Sequence, residues 1–114
     1  MKVIYKIVPE PLWRESQATG LFRGSAVDLA DGFIHFSGVG QAEETALRHF
    51  HGQDDLLLVA FDGDALGQDL RWEASRGGAL FPHLYASLDP ASALWAKPLP
   101  WDGTRHDFPE GWKA

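Results

Sequence analysis

Residues 56–61 form an uninterrupted apolar segment, LLLVAF, which has the length of one β-strand. Because no side of this segment carries a polar side chain, it predicts a strand that is buried on both faces at the centre of a sheet. A chain of 114 residues has room for one domain around such a strand. A chain of this length buries roughly two-thirds of its unfolded surface, so it needs no disulfide or metal to fold. We therefore expect a single small domain built on this segment.

Short strands and two main helices account for the rest of the pattern. A proline-opened helix is predicted over residues 12–18, a helical turn near 26–29, and a longer helix over 41–50, where apolar residues recur at helical spacing. Strand-type alternation occupies 3–7, 33–36, 70–73, 80–85 and 96–99. Since the helices come early and several strands run together afterwards, the predicted class is α+β rather than a regular alternation of βαβ units.

Two features modify this pattern. Pro82 interrupts the strand over 80–85, and because proline donates no backbone hydrogen bond, that strand is predicted to lie at a sheet edge or beside a bulge. After residue 99 the aromatic residues are scattered among glycine, proline and charged residues. We therefore predict one domain over residues 1–99, with an irregular tail over residues 100–114 that packs back onto it.

Composition excludes several classes of function. The chain contains no cysteine, which removes disulfides, thiolate nucleophiles, iron–sulfur clusters and cysteine-based zinc sites. The formal net charge of −6 argues against binding of long nucleic acid, because phosphate contacts need an excess of lysine and arginine. No apolar run reaches the length of a transmembrane helix, and the run near residue 1 is too short for a secretory signal. We expect a soluble, cytoplasmic protein.

The histidine pair at His49 and His51 does not predict a metal site. Two residues apart on a helix, these side chains do not share a face, so a site would need ligands from elsewhere in the chain. Several aspartates beside glycines and loop segments are interpreted as turn residues: Asp28, Asp31, Asp62, Asp64 and Asp69. No metal ligand is therefore predicted.

Polar side chains embedded in three apolar strand segments are the candidates for a functional site. In the first segment, His35 lies between Ile34 and Phe36, and Phe33 shares its face. This histidine is either a core residue bonded to backbone or a ligand-facing residue in a cleft. Ser37 would share the face of His35 if the strand continued, and otherwise it would cap the following helix.

The second and third segments carry charged and polar aromatic side chains in the same alternation. Arg71 and Glu73 share one face of their strand, either as a solvated pair or as a carboxylate at a cleft wall, with Arg76 nearby for an anion. His83 and Tyr85 share a face of theirs, either as an amphipathic surface or as a pair that brackets a ring or donates to a phosphate. We expect the polar tips of all three segments to converge on one hollow.

Four motifs in these segments occur in order along the chain: IYKI at 4–7, DGFIHFS at 31–37, LRWE at 70–73 and FPHLY at 81–85. Together with Gln41 and with TALRHF at 45–50, they resemble the small bacterial family called domain of unknown function 952. The resemblance extends over nearly the whole chain, as far as residue 99. It implies an ADP-ribosyltransferase-like fold, in which a split β core, mixed or antiparallel, has a cleft that in active relatives holds NAD.

The resemblance also implies roles for individual residues. His35 and Glu73 would be the catalytic pair, with Glu73 stabilising positive charge on the ribose and His35 orienting the ribose hydroxyls. His83 or Tyr85 would meet the nicotinamide. Arg71 or Arg76 would contact the pyrophosphate. Ser37 and Gln41 are further candidates for contact with the ligand.

NAD enters this interpretation as a substrate, and no resident cofactor is predicted. The alternative is a non-catalytic module that holds a small ligand in the same cleft. A third interpretation is a scaffold whose tryptophan-containing tail docks onto a partner, which would give a mass in solution above 12.6 kDa.

Overall fold

Two antiparallel sheets form the body of the protein, a computed structural model that describes residues 1–113 except for the side chain of Arg76. The strands are β1 (Val3–Pro9), β2 (Ile34–His35), β3 (Leu56–Asp62), β4 (Leu70–Ala74), β5 (Leu80–Leu84) and β6 (Trp95–Pro98). The helices are α1 (Glu10–Thr19), α2 (Ala26–Asp31) and α3 (Ala42–His49). The α+β class is confirmed, and every strand pair in this part of the chain is antiparallel rather than mixed.

The first sheet has the order β1-β3-β6, so the apolar segment predicted to be central is the middle strand. Its register with β1 runs from Val3 opposite Asp62 to Pro9 opposite Leu56. Side chains of β3 alternate between two cores, with Val59 among the residues of one and Leu58 among those of the other. Both side chains are fully buried, which confirms the prediction of a strand covered on both faces.

The second sheet has the order β2-β5-β4, and the edge position predicted for the strand containing Pro82 is wrong. The strand β5 lies in the middle, and its register with β4 continues without a bulge from Leu70 opposite Leu84 to Ala74 opposite Leu80. The Pro82 carbonyl accepts a hydrogen bond from the Phe36 backbone N–H at 3.0 Å, so the proline nitrogen faces the β2 side as well. The pairing of β2 with β5 ends at His35 and His83. The hydrogen bond that Pro82 cannot donate therefore falls just beyond the end of this pairing.

The expected strand over 33–36 is shortened because the chain leaves β2 to meet the first sheet. Ser37 and Tyr5 exchange two backbone hydrogen bonds, each 2.8 Å long, which join the two sheets. Ser37 therefore does not cap α3, which begins five residues later. The alternation that would have placed Ser37 beside His35 ends at this bridge.

Glycines fix both ends of α2 beside the second sheet. Gly32 follows the helix in the left-handed conformation, with φ of 86°, and Gly24 precedes it with φ of 107°. A Cβ atom on Gly24 would lie 2.5 Å from the Cβ of Asp28, so only glycine fits there. The backbone of Gly24 thus packs directly against the Asp28 side chain.

Residues of the C-terminal segment contact the first sheet. The Trp112 side chain is buried, and its ring lies 5.0 Å from that of Tyr5 in an edge-on arrangement. The Tyr5 hydroxyl donates a hydrogen bond to the Trp112 carbonyl at 3.0 Å. Every helix within residues 1–113 falls short of the length and apolar content needed to cross a membrane.

Candidate functional site

The polar tips of the three segments meet on the outer face of the second sheet. His35 and His83 lie directly opposite each other in the β2–β5 register, and their ring centroids are 5.4 Å apart. Glu73 on β4 and Tyr85 just beyond β5 project on the same side. We call the surface formed by Phe33, His35, Glu73, His83 and Tyr85 the two-histidine face. The structure thus brings together four of the side chains that the sequence suggested.

Glu73 is held by two donors on one carboxylate oxygen. The Tyr85 hydroxyl donates to Glu73 Oε1 at 2.6 Å, and His83 Nδ1 donates to the same atom at 2.8 Å. The Tyr85 hydrogen bond first, and then the His83 hydrogen bond, hold the pKa of Glu73 below its ordinary value. The same contact with Glu73 raises the pKa of Tyr85. Glu73 is therefore a fixed negative charge at neutral pH.

Arg71 stands at the edge of this face. Its guanidinium carbon lies 4.7 Å from the centre of the Tyr85 ring, which is cation–π geometry. In the β4–β5 register Arg71 is opposite His83. A guanidinium in this position can meet an anionic group of a ligand that approaches the two-histidine face.

His35 has a carboxylate against each ring nitrogen. Its Nδ1 lies 2.6 Å from Asp28 Oδ1, and its Nε2 lies 2.9 Å from Asp31 Oδ2. The His35 backbone N–H also donates to Asp28 Oδ1 at 3.1 Å. Carboxylates rather than backbone carbonyls hold the His35 ring, so it is not the backbone-bonded core histidine that the sequence allowed.

The interpretation of Asp28 as a turn residue is wrong. Its side chain is 2% exposed, and its second oxygen lies 2.8 Å from the ammonium of Lys6, which is itself buried. Burial alone would raise the pKa of Asp28, but the His35 hydrogen bond and the Lys6 charge outweigh it, and the pKa lies well below its ordinary value. Burial lowers the pKa of Lys6, and Asp28 opposes that shift.

One signal in the sequence could have revealed this pair. Lys6 shares a strand face with Ile4 and Val8, both of which are fully buried. A lysine in the middle of an apolar strand face needs a buried carboxylate as its partner. Asp28 supplies this carboxylate. It lies four residues after Gly24, where only glycine fits against the Asp28 side chain.

The lowered pKa of Asp28 predicts how stability depends on pH. A carboxyl whose pKa is lower in the folded than in the unfolded state contributes stability that is fully present above the unfolded pKa, about 4. That contribution is lost as the pH falls from there through the folded pKa. The free energy of unfolding should therefore fall more steeply below about pH 4 in the wild type than in Asp28→Asn. Urea denaturation across this pH range measures it, and parallel profiles for the two proteins would refute it.

Phe33 covers the centre of the two-histidine face. Its ring is stacked on that of His83, with centroids 4.2 Å apart and planes inclined by 25°. It also lies 4.6 Å from the His35 ring and 5.2 Å from the Tyr85 ring. The polar tips therefore converge as expected, but the side chain of Phe33 occupies the space above them.

An open hollow of about 400 Å³ adjoins this face. It lies at the end of the second sheet, and the residues lining it are Arg23, Asp28, Leu29, Gly32, Phe33, Ile34, Leu84, Tyr85, Ala86 and Ser87. Another hollow, of about 310 Å³, lies by Trp72 on the opposite face of β4. Of these two hollows, the first shares Phe33 and Tyr85 with the two-histidine face.

Two of the candidate residues, Ser37 and Gln41, are not part of this face. Ser37 is buried and its hydroxyl lies 2.8 Å from that of Thr45. Gln41 donates to the Leu80 carbonyl at 2.7 Å and accepts from the Gly38 backbone N–H at 2.9 Å, so it ties a loop to β5. The side chain of Arg76 lies outside the described part of the chain. Ser37 and Gln41 support the strands that carry the histidines.

Within residues 1–113, no three histidine, aspartate or glutamate side chains are grouped in a way that could hold a metal ion. The two carboxylates beside His35 have other partners. Asp28 pairs with Lys6 and with the His35 imidazole, and Asp31 pairs with that imidazole. The side chains of the site offer a fixed carboxylate, an imidazole held by carboxylates, and aromatic rings.

Comparison with known proteins identifies the family. Residues 7–96 match the model of a family described as Protein of unknown function (DUF952). The chain belongs to the DUF952 family. This DUF952 protein matches the crystal structure of protein CC0527 from Caulobacter crescentus with 49% identity and a TM-score of 0.89, over 92% of this chain and 93% of that one. It matches the solution NMR structure of CC0527 with 50% identity and a TM-score of 0.83, over 93% and 91%.

A search of the curated proteins finds no match to this DUF952 protein. The comparisons therefore show the family and its α+β fold. The expected membership of an ADP-ribosyltransferase-like fold group is not shown by these matches.

Proposed function

We propose that the two-histidine face binds a nucleotide and that the protein uses Glu73 to cleave the N-glycosidic bond of NAD, in a reaction of the ADP-ribosyltransferase type. The observation that supports this most is the state of Glu73. Its carboxylate is ionised and oriented by Tyr85 and His83 at the exposed rim of the sheet. A carboxylate fixed in this way suits stabilisation of positive charge rather than donation of a proton.

In the proposed reaction the bond between the ribose C1′ atom and the nicotinamide nitrogen breaks, and nicotinamide leaves with the electron pair. Positive charge develops on the ribose, and the Glu73 carboxylate stabilises it electrostatically. Water or the hydroxyl of an acceptor then gives an electron pair to C1′ and loses its proton to solvent. This step needs no oxidant and no further cofactor.

The neighbouring residues would orient the substrate. Arg71 would contact a phosphate of the ligand from the edge of the face. Asp28 is a positioning residue, because it fixes the His35 ring with Nε2 directed away from the buried carboxylate. His35 would then donate from Nε2 to an oxygen of the ligand.

Incubation with NAD and chromatography of released nicotinamide tests this proposal. Glu73→Gln keeps an oxygen for the Tyr85 and His83 hydrogen bonds but removes the charge, so turnover should fall about a hundredfold or more while thermal unfolding stays the same. Glu15→Gln makes the same change at an exposed position of α1 and should keep wild-type turnover. Equal turnover in Glu73→Gln and the wild type, or no nicotinamide release by the wild type, would refute the catalytic proposal.

A non-catalytic ligand-binding module is the second candidate, and the surroundings of His35 favour it. Both ring nitrogens of His35 already contact carboxylates, so the ring is held in place as a fixed contact rather than left free to take part in a reaction. Thermal unfolding with NAD and with ADP-ribose separates the two functions. A raised melting temperature without nicotinamide release indicates a module, whereas release that depends on Glu73 indicates the enzyme.

A further inference from the structure

We propose that Asp31 and Phe33 occupy, in the free protein, the places that the anionic group and the flat ring of a mononucleotide take on the two-histidine face. This inference deepens the proposed function, since it concerns the ligand of the same site. We call these two side chains the plug. The plug makes the site self-inhibited until the ligand displaces it.

Asp31 is placed as a stand-in for an anion. Its Oδ2 atom lies 2.9 Å from His35 Nε2, on the side of the ring turned away from the buried Asp28. About half of the Asp31 side chain is exposed, whereas Asp28 is buried. An exposed carboxylate held by one surface contact is weakly bound, and a phosphate oxygen can form the same contact with the imidazole.

Phe33 is placed as a stand-in for a flat ring. Its ring lies almost parallel to that of His83, at the spacing of stacked aromatic groups. It is enclosed on other sides by the rings of His35 and Tyr85. A nicotinamide or adenine ring that replaced it would find the same stacking surface and a tyrosine beside it.

The plug can leave without movement of the sheet. Asp31 is the last residue of α2 and Phe33 precedes β2, so rotation of two side chains clears both histidines. The helix stays in place, because Asp28 is held by Lys6 and by the His35 backbone. The adjoining hollow reaches Phe33 and Tyr85 and offers space into which the Phe33 ring can turn.

The geometry also limits the class of ligand. The anionic group would lie at His35 and the flat ring at His83, and the two histidine rings are only 5.4 Å apart. The anion and the ring must therefore be joined by a short linker, such as one sugar. A mononucleotide unit, in which one sugar joins the phosphate to the base, fits this description.

Binding of AMP, adenosine and inorganic phosphate by isothermal titration calorimetry tests the plug. Emptying an occupied site removes the cost of displacing its occupant, so the apparent affinity rises. Asp31→Ala should bind AMP and phosphate at least about tenfold more tightly than the wild type, with adenosine unchanged. Phe33→Ala should bind AMP and adenosine more tightly, with phosphate unchanged. Asp107→Ala removes an equal charge from an exposed loop and should bind as the wild type does.

Each other outcome overturns the inference. Weaker AMP binding by Asp31→Ala or Phe33→Ala would make these side chains ligand contacts rather than occupants. Equal gains in Asp107→Ala would assign the effect to net charge. No AMP binding by any variant would reject the mononucleotide class. Circular dichroism checks folding, and Phe33→Leu keeps the bulk without the ring if Phe33→Ala unfolds. AMP carries no nicotinamide, so these results stand whether or not the protein cleaves NAD.

Discussion

Asp28→Ala is expected to lower the free energy of unfolding by about 3–5 kcal/mol, because it breaks a buried ion pair by removing one partner. Lys6 would keep its ammonium group in the core with no carboxylate beside it. His35 would lose its contacts to the ring and to the backbone N–H. Urea denaturation at neutral pH measures the loss.

A double variant separates loss of the carboxylate from exposure of a lone charge. Lys6→Met keeps much of the length of the lysine side chain without its charge, so Lys6→Met combined with Asp28→Ala should recover part of the stability lost in Asp28→Ala. A loss below about 1 kcal/mol in Asp28→Ala, which is the range of surface ion pairs, would contradict the buried pairing. If the double variant recovers no stability, the unpaired charge of Lys6 is not the cause of the loss in Asp28→Ala.

Trp112→Ala is expected to cost about 3 kcal/mol, the low end of the range for a buried aromatic side chain. Trp112 packs edge-on against Tyr5 and lies 4.8 Å from the Phe108 ring in a tilted arrangement. Its truncation would open one side of the core that contains Leu99 and the fully buried Leu58. The midpoint of urea denaturation measures this effect.

Trp101→Ala is the matched control in the same segment. Trp101 is half-buried and packs against the imidazoles of His51 and His106 rather than in the core. We expect a smaller loss of stability in this variant than in Trp112→Ala. An unchanged denaturation midpoint in Trp112→Ala would mean that the C-terminal segment adds nothing to the fold.

Local chemistry in the sequence was enough to predict several elements of the fold. The apolar segment at 56–61 fixed the central strand, because an unbroken apolar run has no face for water. Helix α1 ends at a glycine with φ of 79°, as the pattern predicted. The position of Pro82 could not be predicted, because it depends on where another strand, β2, ends.

The sequence also predicted part of the candidate site, as it predicted part of the fold. Strand alternation grouped His35 with Phe33 and His83 with Tyr85, and the structure joins these pairs on one face. The pairing of Asp28 with Lys6 depends on contact between α2 and β1, which no local pattern contains. The sequence placed Phe33 on the same face as His35. Its stacking on His83 depends on the pairing of two strands, so only the structure reveals it.

The bridge between Tyr5 and Ser37 closes a loop of contacts through the molecule. From Tyr5 the backbone leads to Lys6, which holds Asp28, which holds His35, whose chain returns through Ser37 to Tyr5. These contacts are connected, so we expect a substitution that breaks one of them to weaken the others. Because separation of the two sheets would break the Tyr5–Ser37 bridge and the contacts of Asp28, we expect both sheets to unfold as one cooperative unit.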